Sequence, residues 1–231
     1  MSHSHAPSTA WDCSKISQQL LHDALVNLPE TCQGKLLDLG CGMKPYQPLL
    51  GARVQRWFGL DFESTHAGHS KADAYGSALK LPFKSASFDV VLCTQVLEHV
   101  TRPRKLFREV ARVLKPQGLL ILTVPQTTPL HEEPEDYYRF TCYGLKLLAE
   151  RADLAVLQVT PVGGAIATVG QMVLWHCNFL GRVPLIGPAL AAIAQVTLGW
   201  SSLKLDRLST AYGGGATKTT ICWVLTARKP A

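Results

Sequence analysis

Residues 35–46 read KLLDLGCGMKPY, an apolar run that ends at Leu39 and passes at once into Gly40 and Gly42 with only Cys41 between them. Glycine has no Cβ and tolerates positive φ, so a strand that ends this way can turn sharply while another group approaches its backbone. Two explanations stand at this point: a strand-to-helix turn with no ligand, or a turn that receives one. Further apolar runs follow at 54–60, 88–93, 119–124, 154–160 and 219–227, with helix-like patterns between most of them. In residues 104–115, Leu106, Phe107, Val110, Val113 and Leu114 recur at helical spacing, and Pro116 with Gly118 ends the pattern. Such alternation marks βαβ units in a largely parallel sheet. A sheet of this kind binds ligands at the carboxyl ends of its strands, which is where Gly40 and Gly42 stand.

The run VQRWFGLD at 54–61 adds a second feature. It puts Asp61 directly after the second strand, about twenty residues beyond the glycines, where a carboxylate can accept hydrogen bonds from both hydroxyls of a ribose. Capping a turn is its plainer role. Taken with the glycine turn, it favours an adenosine derivative. A dinucleotide fits poorly, because Pro45 stands where the third glycine of G-x-G-x-x-G belongs. The expected ligand lacks a pyrophosphate.

Composition bounds the rest. With 231 residues, 47% hydrophobic and 17% charged, the chain can bury one sizeable core, and the reading is an arm at 1–10 followed by a single domain at 11–231. The net charge of +6 and pI near 9.0 are mild, and the run RPRK at 102–105 reads as a solvated helix start. No basic face interleaved with aromatics emerges, so no nucleic-acid partner is expected. The seven cysteines form no C-x-x-C pair and several lie in apolar runs, which points to free thiols in a reducing, cytoplasmic compartment. The opening MSHSHAPSTAW lacks a basic segment followed by an apolar run and reads as a disordered arm rather than a signal peptide. His3 and His5 are at most a weak metal pair. No metal centre is expected.

Five short stretches now line up in order: LLDLGCG at 36–42, GLDF at 59–62, LPF at 81–83, SFDVV at 87–91 and VLEHV at 96–100, with ARVLKPQG following at 111–118. In these stretches and their spacing the chain resembles the class I S-adenosylmethionine-dependent methyltransferases, in particular the large bacterial type 11-like group. The resemblance runs from about residue 35 to 153, roughly half the chain. It implies an α/β fold, a Rossmann-like seven-stranded, mostly parallel sheet with helices on both faces, and S-adenosyl-L-methionine as cofactor.

The resemblance also implies roles. Asp38 holds the cofactor's amino group, Gly40, Cys41 and Gly42 let its methionine part lie against the backbone, Asp61 takes the ribose hydroxyls, and Phe62 lies beside the adenine. Relatives commonly carry an acidic residue in G-D-A for the adenine amino group. This chain has G-S-A at 76–78, which leaves Ser77 and the Ala78 amide for that duty. Gln95 faces the methionine end or caps a helix.

Methyl transfer from a sulfonium is an in-line displacement that asks mainly for alignment. If the acceptor is a hydroxyl, its proton needs a taker, and TVPQTTPLHEEPEDYYRFT at 123–141 offers His131, a residue type suited to proton transfer near neutral pH. His131 is read as the catalytic base or as a substrate ligand, with Asp136 and Arg139 as a pair that holds the loop. His99 is read as structural, with Glu98 nearer the pocket. Base N-methylation is disfavoured because CTQV at 93–96 replaces the N/D-P-P-Y/F grip on an amine, and aminopropyl transfer on this fold wants acidic residues where Gln95 stands.

Between 154 and 203 the sole Asp, Glu, Lys or Arg is Arg182. Residues 161–216 are read as a hydrophobic helical insertion before the last strand, with apolar pieces at 165–180 and 183–200. The second, VPLIGPALAAIAQVTLGW, falls short of a membrane span because Pro184, Gly187 and Pro188 crowd one end and Gln195 interrupts it. A lid over the pocket, a homodimer interface, or a monotopic contact with the inner face of a membrane each explains this composition. The expected activity is O-methylation of a small-molecule or lipid-like acceptor. The alternative is a binding or scaffold protein that keeps the fold without catalysis.

Overall fold

The structure, a computed structural model, describes residues 15–26, 32–50, 54–63, 70–177, 186–211 and 219–231. The expected arm at 1–10 lies outside them, as do 178–185 and 212–216 of the expected insertion. The chain divides into two compact units, one of Met1–Asp23 with Pro161–Cys222 and one of Ala24–Thr160 with Trp223–Ala231.

The second unit is built on a seven-stranded sheet: β1 Gly34–Leu39, β2 Val54–Asp61, β3 Ala74–Tyr75, β4 Phe88–Thr94, β5 Leu114–Pro125, β6 Ala155–Val162 and β7 Cys222–Arg228. The order is β3-β2-β1-β4-β5-β7-β6. Parallel ladders join β1 to β2, β1 to β4, β2 to β3 and β4 to β5, and Asp38 stands between Gly59 and Leu92. The chain runs outward from β1 through β2 and β3, then returns to start again at β4. Strand order therefore reverses beside β1, and the carboxyl ends of β1 and β4 flank the crevice where such sheets take ligands. Leu36, Leu37 and Leu39 on β1 and Val90 to Cys93 on β4 are all buried, so both faces of these strands are covered. That is why they read as continuous apolar runs rather than alternating ones.

Helices α1 Lys15–Val26 and α2 Gln47–Leu50 precede β1 and β2, and α4 Cys142–Glu150 precedes β6. Helix α3, Pro103–Val113, starts with proline in its first turn and buries Leu106, Phe107, Val110 and Val113. It ends two residues short of the sequence expectation. Leu114 is buried and extended, with φ −66 and ψ 137, and already belongs to β5, although its N–H still reaches Val110 O. The LPF stretch has a visible packing duty: Leu81 N–H donates to Glu109 Oε2, and the Arg112 guanidinium donates to Leu81 O and Phe83 O. The Phe83 ring meets Phe58 and Phe88 edge-on. Strand β3, with two residues, is too short to leave a periodicity in sequence.

The first unit carries three helices between β6 and β7: α5 Ala165–Cys177, α6 Gly187–Ala194 and α7 Trp200–Ala211, with a π-helical turn at Gln195–Gly199. The second apolar piece does not stop at Trp200; the helix goes on to Ala211 and brings in Lys204, Asp206 and Arg207. Asp206 is buried and accepts from Gly164 N (2.8 Å) and Ala167 N (3.1 Å), satisfying amides at the start of α5 that have no partner within their helix. A groove of about 400 Å³ is lined by Ile166, Val169, Val173, Leu198 and Leu205. Among the described residues, no helix is long and apolar enough to cross a membrane. Cys41, Cys93, Cys142 and Cys177 are free thiols.

Candidate functional site

The glycine turn is tied to the neighbouring strand. Gly40 N and Cys41 N both donate to Leu60 O, at 2.8 and 3.2 Å. The two glycines then differ. Gly40 has φ +71 and a Cβ there would collide with Val96 Cγ2, whereas Gly42 has φ +46 and a Cβ would meet nothing within 4 Å. Packing accounts for the first; the second leaves backbone open beside empty space, a place a ligand can fill.

Asp61 closes the other side. It is buried, its Oδ2 accepts from Gly42 N (3.0 Å) and Ser70 Oγ (2.8 Å), and its Oδ1 accepts from Phe62 N (2.8 Å). A carboxylate has about four acceptor positions, so two ribose hydroxyls have to displace one of these donors. The rotatable Ser70 hydroxyl is the one free to swing aside. Phe62, beside it, is 54% exposed and presents an aromatic face. Gly76 N donates to Asp61 O, which sets residues 76–78 next to this end of β2. Ser77 Oγ accepts from Leu79 N at 3.2 Å and so shapes a turn, with its proton still available to donate; Ala78 packs against the core.

Asp38, the last residue but one of β1, is 1% exposed and accepts from Trp57 Nε1 at 3.1 Å. Burial pushes its carboxyl up to about 7, against the pull of Trp57 and Lys44. The Cys41 thiol is likewise pushed up to about 11 by burial, which leaves it a weak nucleophile. Asp73 is held below the ordinary carboxylate range by the Gly59 amide and by Lys44, with which it pairs at 2.7 Å. Trp57, Ser70, Lys44 and Asp73 were absent from the sequence reading. Nothing local marks them, since each acts through a partner at least nine residues away.

Gln95 has φ +53 and bridges β4 to β5: its N donates to Thr123 O (3.0 Å) and its Nε2 to Thr123 Oγ1 (3.1 Å). It caps nothing. The short 3-10 turn Leu97–His99 has Val96 at its N-cap, without a side-chain bond. That turn leads to a second cluster, at the carboxyl ends of β4 and β5, where Glu98, His99 and His131 offer ligand atoms within 4.8 Å of one another. The His99 and His131 rings meet edge to face at 4.9 Å. Burial pushes the Glu98 carboxyl up to about 8, its own amide and Arg139 pulling the other way. Asp136 and Arg139 do pair, through Nη1 to Oδ1 (2.6 Å) and Nη2 to Oδ2 (2.7 Å), and Arg139 donates further to Thr128 O and Pro129 O. This guanidinium, foremost, holds the Asp136 carboxyl down at about 2. Six of the nine expected cofactor residues, Asp38, Gly40, Cys41, Gly42, Asp61 and Phe62, thus gather at the ends of β1 and β2; Ser77 and Ala78 adjoin them, while Gln95 and His131 belong to the ends of β4 and β5.

The turn, the acidic residue after β2 and the strand order define a class. Residues 37–122 match the family described as a methyltransferase domain, on a sheet with the Rossmann-like strand order, and over that stretch the chain is similar to S-adenosylmethionine-dependent methyltransferases. A probable S-adenosylmethionine-dependent methyltransferase of Mycolicibacterium smegmatis is 31% identical over 105 residues, 42% of this chain and 41% of that protein. A ubiquinone biosynthesis O-methyltransferase of Xanthomonas oryzae pv. oryzae is 29% identical over 109 residues, 41% of this chain and 44% of that protein. The chain therefore spans less than half the length of these curated relatives. Among solved structures, the cyclase SpnF superposes with a TM-score of 0.63 at 20% identity, covering 99% of this chain and 86% of that one, a likeness of fold.

Proposed function

We propose that the chain transfers a methyl group from S-adenosylmethionine to an oxygen of a small-molecule or lipid-linked acceptor. The observation that carries this reading is the open, positive-φ backbone of Gly42 hydrogen-bonded to the buried Asp61 carboxylate. When bound, the cofactor supplies an electrophilic methyl whose leaving group is a neutral thioether. The protein's share is position. Gly40, Cys41 and Gly42 line the methionine part, Asp38 meets the amino group, Asp61 the ribose hydroxyls, Phe62 the adenine face, Ser77 and the Ala78 amide the adenine edge, and Gln95 the methionine end. His131 meets the acceptor.

Oxygen as the acceptor atom is supported by the ubiquinone biosynthesis relative, whose name says O-methyltransferase of that protein. An apolar portion on the acceptor is supported by the exposed Val169, Ile193, Val196, Trp200 and Leu205 of the helical unit. The same residues fit a peripheral contact with the inner face of a membrane or a homodimer face. Liposome flotation and sedimentation equilibrium separate those two.

A second reading, a binding protein without catalysis, is favoured by one feature: the Asp61 oxygens are already engaged by the chain's own donors, and Ser77 stands where relatives have a carboxylate. Calorimetry with S-adenosylhomocysteine decides the first part. Binding supports the cofactor site and its absence defeats both the site and the methyl transfer. A screen of metabolite and lipid extracts with methyl-labelled cofactor then finds the acceptor, and binding with no labelled product from any extract favours the second reading.

A further inference from the structure

The cluster beyond β4 and β5 holds a buried carboxyl group that no hydrogen bond among the described residues satisfies. Glu98 is 0% exposed, and neither of its carboxylate oxygens has a hydrogen-bond partner among the described residues. A buried carboxylate in that condition is expensive, by at least the cost of an unmade hydrogen bond to a charged group, and calls for a positive partner. The nearest guanidinium, Arg139, is committed to Asp136 by two hydrogen bonds and to three bonds with the carbonyls of Thr128 and Pro129.

Two imidazoles stand beside Glu98, and the chain fixes which nitrogen of each is free. His99 Nδ1 lies 2.7 Å from Glu135 O, and His131 Nδ1 lies 3.1 Å from Pro129 O. A carbonyl oxygen only accepts, so both Nδ1 atoms carry a proton, which leaves Nε2 as the nitrogen of each that can ligate. His99 Nε2 is 3.9 Å from Glu98 Oε1 and 3.8 Å from Glu132 Oε2. His131 is further anchored by Asp136, which accepts from its backbone N at 3.1 Å and lies 3.3 Å from its Nδ1. Imidazoles held by a backbone carbonyl at one nitrogen, with the other bare, are oriented the way metal-ligating histidines are.

We propose that Glu98, His99 and His131 form a binding site for one divalent transition-metal cation, of the zinc type. The donor set, two imidazole nitrogens and a carboxylate, is one that zinc and its neighbours accept. A tetrahedral ion with bonds of about 2.1 Å sets its ligands about 3.4 Å apart. The 3.9 Å from His99 to Glu98, and the 4.8 Å that bounds the set, exceed this by about 0.5 Å and at most about 1.4 Å, a draw shared between side chains from two loops. Glu132 stands ready as a fourth donor or as the base beside a bound water. With three protein ligands a position remains for an acceptor oxygen, whose proton a cation makes easier to lose to water. That last step rests on the proposed methyl transfer; the ion site does not. It replaces the expectation of no metal centre, and it gives His131 the work of a ligand in place of a base.

The test uses the full chain stripped with a chelator, in a background with His3→Ala and His5→Ala so that the terminal imidazoles do not compete. Zn²⁺ is titrated against a chromophoric competitor, and Co²⁺ is added separately to read its visible absorption. The expected result is one ion per chain, a tetrahedral Co²⁺ spectrum, and a loss of affinity of at least about tenfold for each of Glu98→Gln, His99→Ala and His131→Ala. Glu98→Gln keeps the shape of the buried side chain and removes the charge, so it reads the site even if a histidine variant fails to fold. His176→Ala, an exposed helix position, is the control and should bind as before. Absence of stoichiometric binding, or equal binding by all three variants, overturns the site. Metal binding with no methylated product in any extract leaves the site standing and defeats the methyl transfer.

Discussion

The carboxyl ends of β1 and β2 and those of β4 and β5 lie on the same parallel sheet, yet they differ in how many hydrogen bonds their buried carboxyl groups receive. At β1 and β2 the carboxyl groups of the site have partners within the chain: Asp61 has Gly42, Ser70 and Phe62, Asp38 has Trp57, and the half-exposed Asp73 has Gly59 and Lys44. At β4 and β5, Asp136 is saturated by Arg139 while Glu98 has both oxygens bare. The difference says what each end awaits. A ligand whose hydroxyls and ammonium exchange hydrogen bonds one for one with resident donors suits the first; a compact positive charge suits the second.

The largest effect belongs to Asp38. Between pH 3.8 and about 7 the folded chain keeps a proton on Asp38 that the unfolded chain has lost, so stability falls as pH rises through that interval. At about 1.4 kcal/mol for each pH unit, the interval is worth on the order of 4 kcal/mol. Urea midpoints measured across it should decline in the unliganded protein, and Asp38→Asn, whose amide oxygen can still accept from Trp57, should lessen the decline, the remainder belonging to Glu98, whose carboxyl burial also pushes up. S-adenosylhomocysteine should flatten it too, since its ammonium favours the ionised carboxylate. A pH-independent midpoint for the unliganded chain would show that the β1 end does not hold a strained acid.

Next in size is Arg139→Ala. It strips the cation from a carboxylate whose side chain is 1% exposed, and breaking a buried pair from one side costs about 3 kcal/mol. Chemical denaturation should register that loss, and Asp136→Asn in the same chain should recover part of it by removing the stranded charge. A loss below about 0.5 kcal/mol would place the pair with exposed bridges, which contribute little, and would erase the difference between Asp136 and Glu98.

How much of this was legible in sequence follows from the range over which each feature acts. The glycine turn, the carboxylate after β2 and the amphipathic α3 are written in neighbouring residues, so the fold and the β1–β2 end could be read directly. Partners that meet through the fold could not. Trp57 reaches Asp38 only because β1 and β2 run side by side, and Ser70 reaches Asp61 from a loop with no motif of its own. The Asp136–Arg139 pair was legible because it spans a single turn of chain. The charge state of the β4–β5 end was not, since the orphaning of Glu98 depends on what its neighbours, 33 residues away at His131 and beyond, fail to provide. Helix α7, Trp200–Ala211, falls inside the expected insertion at 161–216 but beyond its second apolar piece, because Lys204, Asp206 and Arg207 break the apolar pattern that bounded that piece.

Asp61→Ala is the third test. Two hydrogen bonds from a charged acceptor, each worth about 1.5 to 3 kcal/mol, vanish, and affinity for S-adenosylhomocysteine should fall at least about tenfold by calorimetry. The variant also releases Gly42, Ser70 and Phe62 from their acceptor, so a folding check by circular dichroism accompanies it. Full affinity in a folded variant would mean that the resident donors are the only partners Asp61 has, and the two ends of the sheet would then differ in completeness rather than in ligand.

The smallest effect comes from a carboxylate that belongs to neither end. Asp206, in the helical unit, is buried like Asp61 and, like it, accepts from backbone amides, here those of Gly164 and Ala167 at the start of α5. No ligand role is assigned to it, so it isolates what a saturated carboxylate is worth as structure alone. Asp206→Ala leaves two amides at a helix start without an acceptor and should cost about 1 to 2 kcal/mol, the usual range for losing a cap. Because the residue lies outside the sheet-bearing unit, hydrogen exchange should quicken in α5 and α7 while the amides of β1 and β4 keep their protection and S-adenosylhomocysteine binds as before. Asp206→Asn, which still accepts but without charge, should lose about half as much. If instead the cofactor affinity of Asp206→Ala drops as far as that of Asp61→Ala, loss of a structural carboxylate is enough to disable the site, and the affinity change at Asp61 no longer speaks for a ribose.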